Sequence, residues 1–169
     1  QGVATVALAM GMECHAYDPY LPTKIANKFE CRMHDDVDSL FQLCTHISIH
    51  CNLTEETHHL VNHERIVMMP TSAPNGVSCG NHIVNCARGG IVDEDSVLNA
   101  LNSGDLSSAA LDVFEVEPAL DNPLVQHPKF HGTPHIGAAT LEAQARIGEE
   151  MVTLLNDFFQ GNRPHSALN

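Results

Sequence analysis

The sequence contains no tryptophan and few aromatic residues of any kind, 5% in all, and its 8 lysines and arginines are outnumbered by 21 aspartates and glutamates. This shortage of positive charge, a formal net charge of −13 with histidine neutral, argues against sequence-independent binding to phosphate backbones or anionic lipid, both of which demand a basic surface. The six cysteines, at 14, 31, 44, 51, 79 and 86, include no C-x-x-C pair and stand mostly inside apolar runs, so they read as reduced, intracellular thiols. No apolar run approaches the ~18 residues of a membrane span, and Gln1-Gly2-Val3-Ala4 lacks the basic start of a secretory leader. The expectation is a cytoplasmic protein with small-molecule or protein partners, and with no nucleic acid and no membrane. Gln1 in place of an initiator methionine suggests that the chain begins inside a longer one.

What is present is enough for a core. The 169 residues are 43% apolar, which predicts one globular domain. Val3, Val6, Ala7 and Met10 recur at helical spacing and Gly11 follows as a terminator. Glu13 to Asp18 is a short strand-like run stopped by Pro19, and a helix containing Lys24 and Lys28 is expected after it. Further strands are predicted at Ile47–His50, His82–Ala87 and Ala109–Phe114, with a shorter extended piece ending at Pro134-His135. Between them, Asn52 to Thr57 is read as the opening of a short helix through Leu60, and Asp93 to Ser96 as the acidic first turn of a helix closed by Gly104. Thr140 caps the last predicted helix, whose apolar face is Ala143, Ile147, Met151, Leu154 and Phe158 and which ends before Gly161. Residues 70–81 read as an inserted surface loop. Strands alternating with helices, without any fixed-period repeat, predict an α/β fold with a parallel sheet.

In an open parallel sheet, ligands bind outside the carboxyl ends of the strands. Those positions are polar here: Asp18, then His50-Cys51-Asn52, Arg88, Asp112 with Glu115 and Glu117, and His135. Each alone reads more readily as a solvated turn or surface residue. Together they form a set suited to a small carboxylic acid: an arginine fork grips a carboxylate through two hydrogen bonds, a histidine moves a proton near neutral pH, and a nearby carboxylate orients the histidine.

Three stretches resemble a known family. Val84 to Glu94, Ala110-Leu111-Asp112-Val113-Phe114 with Glu117-Pro118, and Pro134 to Thr140 are similar to successive signatures of the D-isomer-specific 2-hydroxyacid dehydrogenases, and the resemblance runs from Gln1 to about Gly161. It implies a Rossmann-like doubly wound parallel sheet, with residues 1–161 as a partial NAD-binding domain and 162–169 as a tail leading towards a substrate-binding domain. Carried over by position, Arg88 binds the substrate carboxylate, His135 is the general acid/base on the 2-hydroxyl, and Glu117 is its partner. Asp112 lies near the nicotinamide end, and Cys86, Ala87, Arg88, His135, Gly137 and Ala138 line the cofactor. Asp18 takes the adenosine ribose hydroxyls and Cys51 the adenosine side. With Pro19 and Tyr20 after Asp18, and no adjacent arginine, NAD is expected rather than NADP.

The resemblance also implies a homodimer or higher homo-oligomer in the full-length protein. Within the family the wording of Asn85 to Glu94 and Glu142-Ala143-Gln144 is most similar to the enzymes acting on 3-phosphoglycerate, with glyoxylate or hydroxypyruvate reductases as the runner-up. The same fold also serves NAD-sensing corepressors, which bind without turnover. The family's G-x-G-x-x-G turn is expected just before Gln1, together with the first strand, so the fragment by itself is expected to be inactive.

Twelve histidines invite a metal reading. His59 and His63 are spaced i, i+4, and His46 and His50 share a strand face, but no third ligand is evident in the sequence and no metal site is expected.

Overall fold

The computed structural model describes residues 2–21 and 30–163. Helix α1 (Gly2–Ala9) leads into strand β1 (Cys14–Ala16), with Gly11 in the left-handed conformation between them, φ 82°. Strand β2 (Cys31–Met33) pairs in parallel with β1, Cys14 opposite Cys31. The helix expected around Lys24 and Lys28 lies outside the described residues. Neither β2 nor the short helix α2 (Val37–Phe41) that follows is signalled by the sequence pattern. Asp36 starts α2 by accepting the Ser39 N–H at 2.7 Å, a side-chain cap for an otherwise unpaired helix donor.

Strands β3 (His46–Ile49), β4 (His82–Asn85), β5 (Ser108–Leu111) and β6 (Phe130–Gly132) form a second, four-stranded parallel sheet in the order β3-β4-β5-β6. Ile47, Ile83 and Ala109 lie in one row of its register and Ile49, Asn85 and Leu111 in another, and all six are buried. Alternate residues of a strand share a face, so this face is the apolar one. It packs in one cluster with Phe41 of α2, Ile66 of α3 (His63–Met68), and Val97, Ala100 and Leu101 of α4 (Glu94–Ser103). The α/β architecture with parallel sheets is therefore as expected. The sheet is divided in two, however: no strand among the described residues joins β1 and β2 to the other four.

Helix α4 begins and ends where the sequence predicts. The Asp93 carboxylate caps Ser96, and Gly104, at φ 92°, closes the last turn by donating its N–H to Ala100. The expected helix over residues 52–60 does not form. Thr57 Oγ1 instead donates to the Asn52 carbonyl at 2.7 Å and accepts the Thr54 N–H at 2.7 Å, and His59 takes a left-handed φ of 50°. These local side-chain bonds compete with helical pairing, and the helix starts later, at His63, behind an Asn62 cap. His59 and His63 consequently do not share a helical face. Residues 70–81 form a loop with no helix or strand, turned at Gly76 through an Ala73 N–H bond to Val77.

The last helix, α5 (Leu141–Phe159), has the predicted Thr140 cap and Gly161 after its end. Its apolar stripe is in the open: only Ala143 is buried, while Ile147, Met151 and Phe158 are exposed. Among the described residues no helix is long and apolar enough to cross a membrane.

Candidate active site

Polar side chains gather where β4, β5 and β6 end. After β4, the buried Asn85 turns the chain: its Oδ1 accepts the Ala87 N–H and its Nδ2 donates to the Arg88 carbonyl, both at 2.9 Å. A polar residue 1% exposed in the apolar row is thereby satisfied, and the turn presents Arg88 on the surface. The guanidinium donates through Nη1 to the Ala87 carbonyl at 2.6 Å, and among the described residues no carboxylate forms an ion pair with it.

Gly89 brings this turn against the segment leaving β5. A Cβ at that position falls 1.9 Å from the Phe114 carbonyl oxygen, so only glycine allows the approach. Gly89→Ala should therefore lower stability by about 1–3 kcal/mol, the usual cost of overpacking; an unchanged Tm would contradict this close contact.

Phe114 in turn donates its N–H to Glu117 Oε1 at 3.1 Å, while Glu117 Oε2 receives His135 Nδ1 at 2.9 Å. Both side chains reach solvent, with 47% and 38% of the His135 and Glu117 side chains exposed. The hydrogen bond from His135 first, and that from Phe114 second, hold the Glu117 carboxyl below its ordinary value. His135 itself has a left-handed φ of 55°, a conformation that side-chain-bearing residues adopt at a cost.

Asp112 explains how that conformation is held. It stands just past β5, is 5% exposed, and spends both oxygens on the turn around His135: Oδ1 accepts Thr133 Oγ1 at 2.6 Å and the Ile136 N–H at 2.8 Å, and Oδ2 the Gly137 N–H at 2.9 Å. Burial pushes its carboxyl up, but the bonds from Thr133, Ile136 and Gly137 outweigh it and the net displacement is downward. Expected beside the cofactor, Asp112 is committed within the structure to orienting the histidine turn.

Arg88, Glu117, His135, Asp112 and Gly137 are thus connected through Gly89 and Phe114. Cys86 is exposed and Ala87 half-buried on the same turn, and Ala138 follows Gly137, its carbonyl accepting Gln144 Nε2 at 2.7 Å. No hydrogen bond among the described residues joins Asp18 or Cys51 to this set, although β3, which Cys51 follows, lies beside β4. Asp18 is exposed beyond β1, where Oδ1 accepts the Tyr20 N–H at 2.9 Å. Cys51 is half-buried after β3 and packs against the core. Burial raises the thiols of Cys51 and Cys86, and nearby Asp112 raises Cys86 further, so neither is an activated nucleophile.

A parallel sheet with these groups at its strand ends meets its relatives here. The profile of the D-isomer specific 2-hydroxyacid dehydrogenase NAD binding domain matches residues 1–137. The chain belongs to this family. It is 38% identical over 169 residues to the D-3-phosphoglycerate dehydrogenase of Methanocaldococcus jannaschii, covering 100% of this chain and 31% of that protein. It is 43% identical over 156 residues to the hydroxypyruvate reductase of Thermotoga maritima, covering 90% of this chain and 47% of that one. Among solved structures, D-lactate dehydrogenase from Aquifex aeolicus, complexed with NAD and lactic acid, superposes with a TM-score of 0.76 at 32% identity, over 95% of this chain and 50% of the other. The chain thus spans between about a third and a half of the length of these relatives. Homologues of this family are NAD-dependent oxidoreductases, and NAD is the cofactor of the domain. The donor set is compatible: Asp18 offers a carboxylate beyond a strand end, and Pro19 and Tyr20 bring no cation to hold a 2′-phosphate.

Sequence reasoning missed Asn85, Gly89 and Thr133 as supports of the site. Asn85 carries a legible signal, an amide in an otherwise apolar strand; the other two become meaningful only once β4, β5 and β6 lie side by side.

Proposed function

We propose that the protein carrying this chain oxidises a D-2-hydroxy acid to the 2-oxo acid with NAD, and runs the reverse, with 3-phosphoglycerate as the preferred substrate. The observation that carries the reading is the 2.9 Å contact between His135 Nδ1 and Glu117 Oε2 beyond the strand ends. A carboxylate acceptor selects the tautomer with the proton on Nδ1, which leaves the Nε2 lone pair facing outward as a base. Nε2 takes the proton of the substrate 2-hydroxyl as the carbonyl forms, and returns it in reduction. Arg88 supplies the fixed fork for the substrate carboxylate and polarises the developing carbonyl oxygen. NAD, when bound, supplies the acceptor for the hydride leaving C2. Cys86, Ala87, Gly137 and Ala138 line its nicotinamide end, and Asp18 and Cys51 its adenosine end.

The similarity to phosphoglycerate dehydrogenases over the whole chain favours 3-phosphoglycerate. The relationship to a hydroxypyruvate reductase favours a second reading, reduction of hydroxypyruvate. Steady-state assays of the full-length protein with NAD and 3-phosphoglycerate, and with NADH and hydroxypyruvate, separate the two: the expected result is the higher kcat/KM for 3-phosphoglycerate. Cofactor binding with no flux on either acid would point instead to an NAD-sensing role. Assembly as a homodimer or larger homo-oligomer is part of the same proposal, and the exposed apolar stripe of α5 is compatible with it.

A further inference from the structure

Beside the turn that carries Arg88 lies a second cluster that the proposed reaction does not use. Residues 59–61 run alongside residues 90–93: His59 donates its N–H to Gly90 at 2.8 Å, Val61 to Ile91 at 3.1 Å, and Asp93 to Val61 at 2.9 Å, with Val61 and Val92 paired as a parallel bridge. This strip sets the His59 side chain next to the Asp93 carboxylate at the start of α4. The segment leaving β5 adds Glu115, whose N–H is held by Glu94 Oε1 at 2.7 Å. One ligating atom from each of His59, Asp93 and Glu115 lies within 4.8 Å of the other two, and His59 Nε2 is 2.9 Å from Glu115 Oε1.

We infer that His59, Asp93 and Glu115 form a binding site for a divalent transition-metal ion of the zinc class, clamping together the three segments that flank the Arg88 turn. Three protein ligands with one or two outward positions left for water make a complete set for Zn²⁺, which accepts imidazole nitrogen and carboxylate oxygen at about 2.0–2.2 Å. Tetrahedral ligands at that distance are roughly 3.4 Å apart, so partly exposed side chains need shift only slightly from their present spacing. The two carboxylates contribute negative charge that a divalent cation neutralises, and among the described residues neither pairs with a lysine or arginine. Asp93 is also oriented from behind, its Oδ2 accepting Ser96 Oγ at 2.5 Å, the kind of outer support that fixes metal ligands. Mg²⁺ and Ca²⁺ favour sets made wholly of oxygen, which the imidazole does not offer. Of the two histidine pairs read from the sequence, His59 enters this site without His63, while the other pair is engaged elsewhere: the His46 ring lies tilted at 4.5 Å from that of His82, and His50 bonds to Ser48.

The test is calorimetric titration of the full-length protein with Zn²⁺, after treatment with EDTA and dialysis, alongside thermal melts with and without the ion. The expected result is a tight equivalent that raises Tm. Its affinity should fall at least tenfold in His59→Ala and in Asp93→Asn, and remain unchanged in His46→Ala. Asp93→Asn keeps a good helix cap while removing the charge, so its metal-free melt should match that of the parent and exclude misfolding as the cause of lost binding. Undiminished Zn²⁺ affinity in both His59→Ala and Asp93→Asn would overturn the assignment, as would Mg²⁺ binding as tightly as Zn²⁺. Because the readout is binding and stability, it is independent of whether the proposed oxidation is correct.

Discussion

Replacing His135 by alanine should lower kcat for oxidation of the 2-hydroxy acid by ~10²–10⁴-fold, the range expected for loss of a general acid/base. KM should change much less, because the substrate carboxylate is assigned to Arg88. The size of the effect follows from geometry: Glu117 occupies Nδ1, so the ring offers its other nitrogen to the substrate, and among the described residues no second histidine forms an ion pair with Glu117. Glu117→Gln should cost less, since its amide oxygen can still accept the Nδ1 proton while the charge that stabilises an imidazolium is gone. Near-normal turnover in His135→Ala would remove this residue from the mechanism. The carboxylate half of the pair also has a defined acid limit. Glu117 titrates below the ordinary 4.5, so the contribution of its charged form is fully present above that value. It is lost as pH falls through the lower, folded-state value.

The second large effect concerns a residue expected to make no proton transfer. Asp112→Ala should destabilise the protein by about 3 kcal/mol or more, because it strips three donors of a charged, buried acceptor, each such bond contributing ~1.5–3 kcal/mol without strict additivity. Urea unfolding at neutral pH measures this directly. The same variant should lower kcat even under conditions where it stays folded, since Ile136 and Gly137 are the anchors of the left-handed His135. A parental stability would show that the three bonds are replaced by water at no cost. The pH dependence has the same sign as for Glu117. Asp112 titrates below 3.8 when folded, so it stabilises the native state above that value and ceases to do so as pH drops through its depressed folded-state value. In Asp112→Ala that part of the acid sensitivity should disappear.

The legible parts of the fold are those with a local physical cause. β3, β4 and β5 declare themselves through short apolar runs, and α4 and α5 through a cap at one end and a left-handed glycine at the other. β2 is three residues long with Arg32 in the middle and exposed, too short and too polar to stand out. The false helix at 52–60 has suitable residue types, and is defeated by the threonine hydroxyls and the conformation of His59. The amphipathic stripe of α5 marks it as helical, but periodicity says nothing about what covers an apolar face, and here Ile147, Met151 and Phe158 are exposed. The proposed roles of His135, Glu117 and Arg88 rest on motif wording and strand-end logic, which the sequence carries. The His59, Asp93 and Glu115 cluster is not legible there, because its members lie on three segments whose adjacency depends on a parallel strip between residues 59–61 and 90–93.

The division of the sheet has a consequence for motion. Among the described residues, every member of the buried core cluster lies at or beyond Phe41, and neither α1 nor the β1–β2 pair contains a buried residue. Two paired strands of three residues are at best marginally stable by themselves. In these 169 residues taken alone, amide hydrogens of Cys14 to Ala16 should therefore exchange through frequent local openings, while those of Ile83 to Asn85 wait for global unfolding. Asp18, proposed for the adenosine end, stands on the fast-exchanging side, and the proposed chemical groups stand on the slow one.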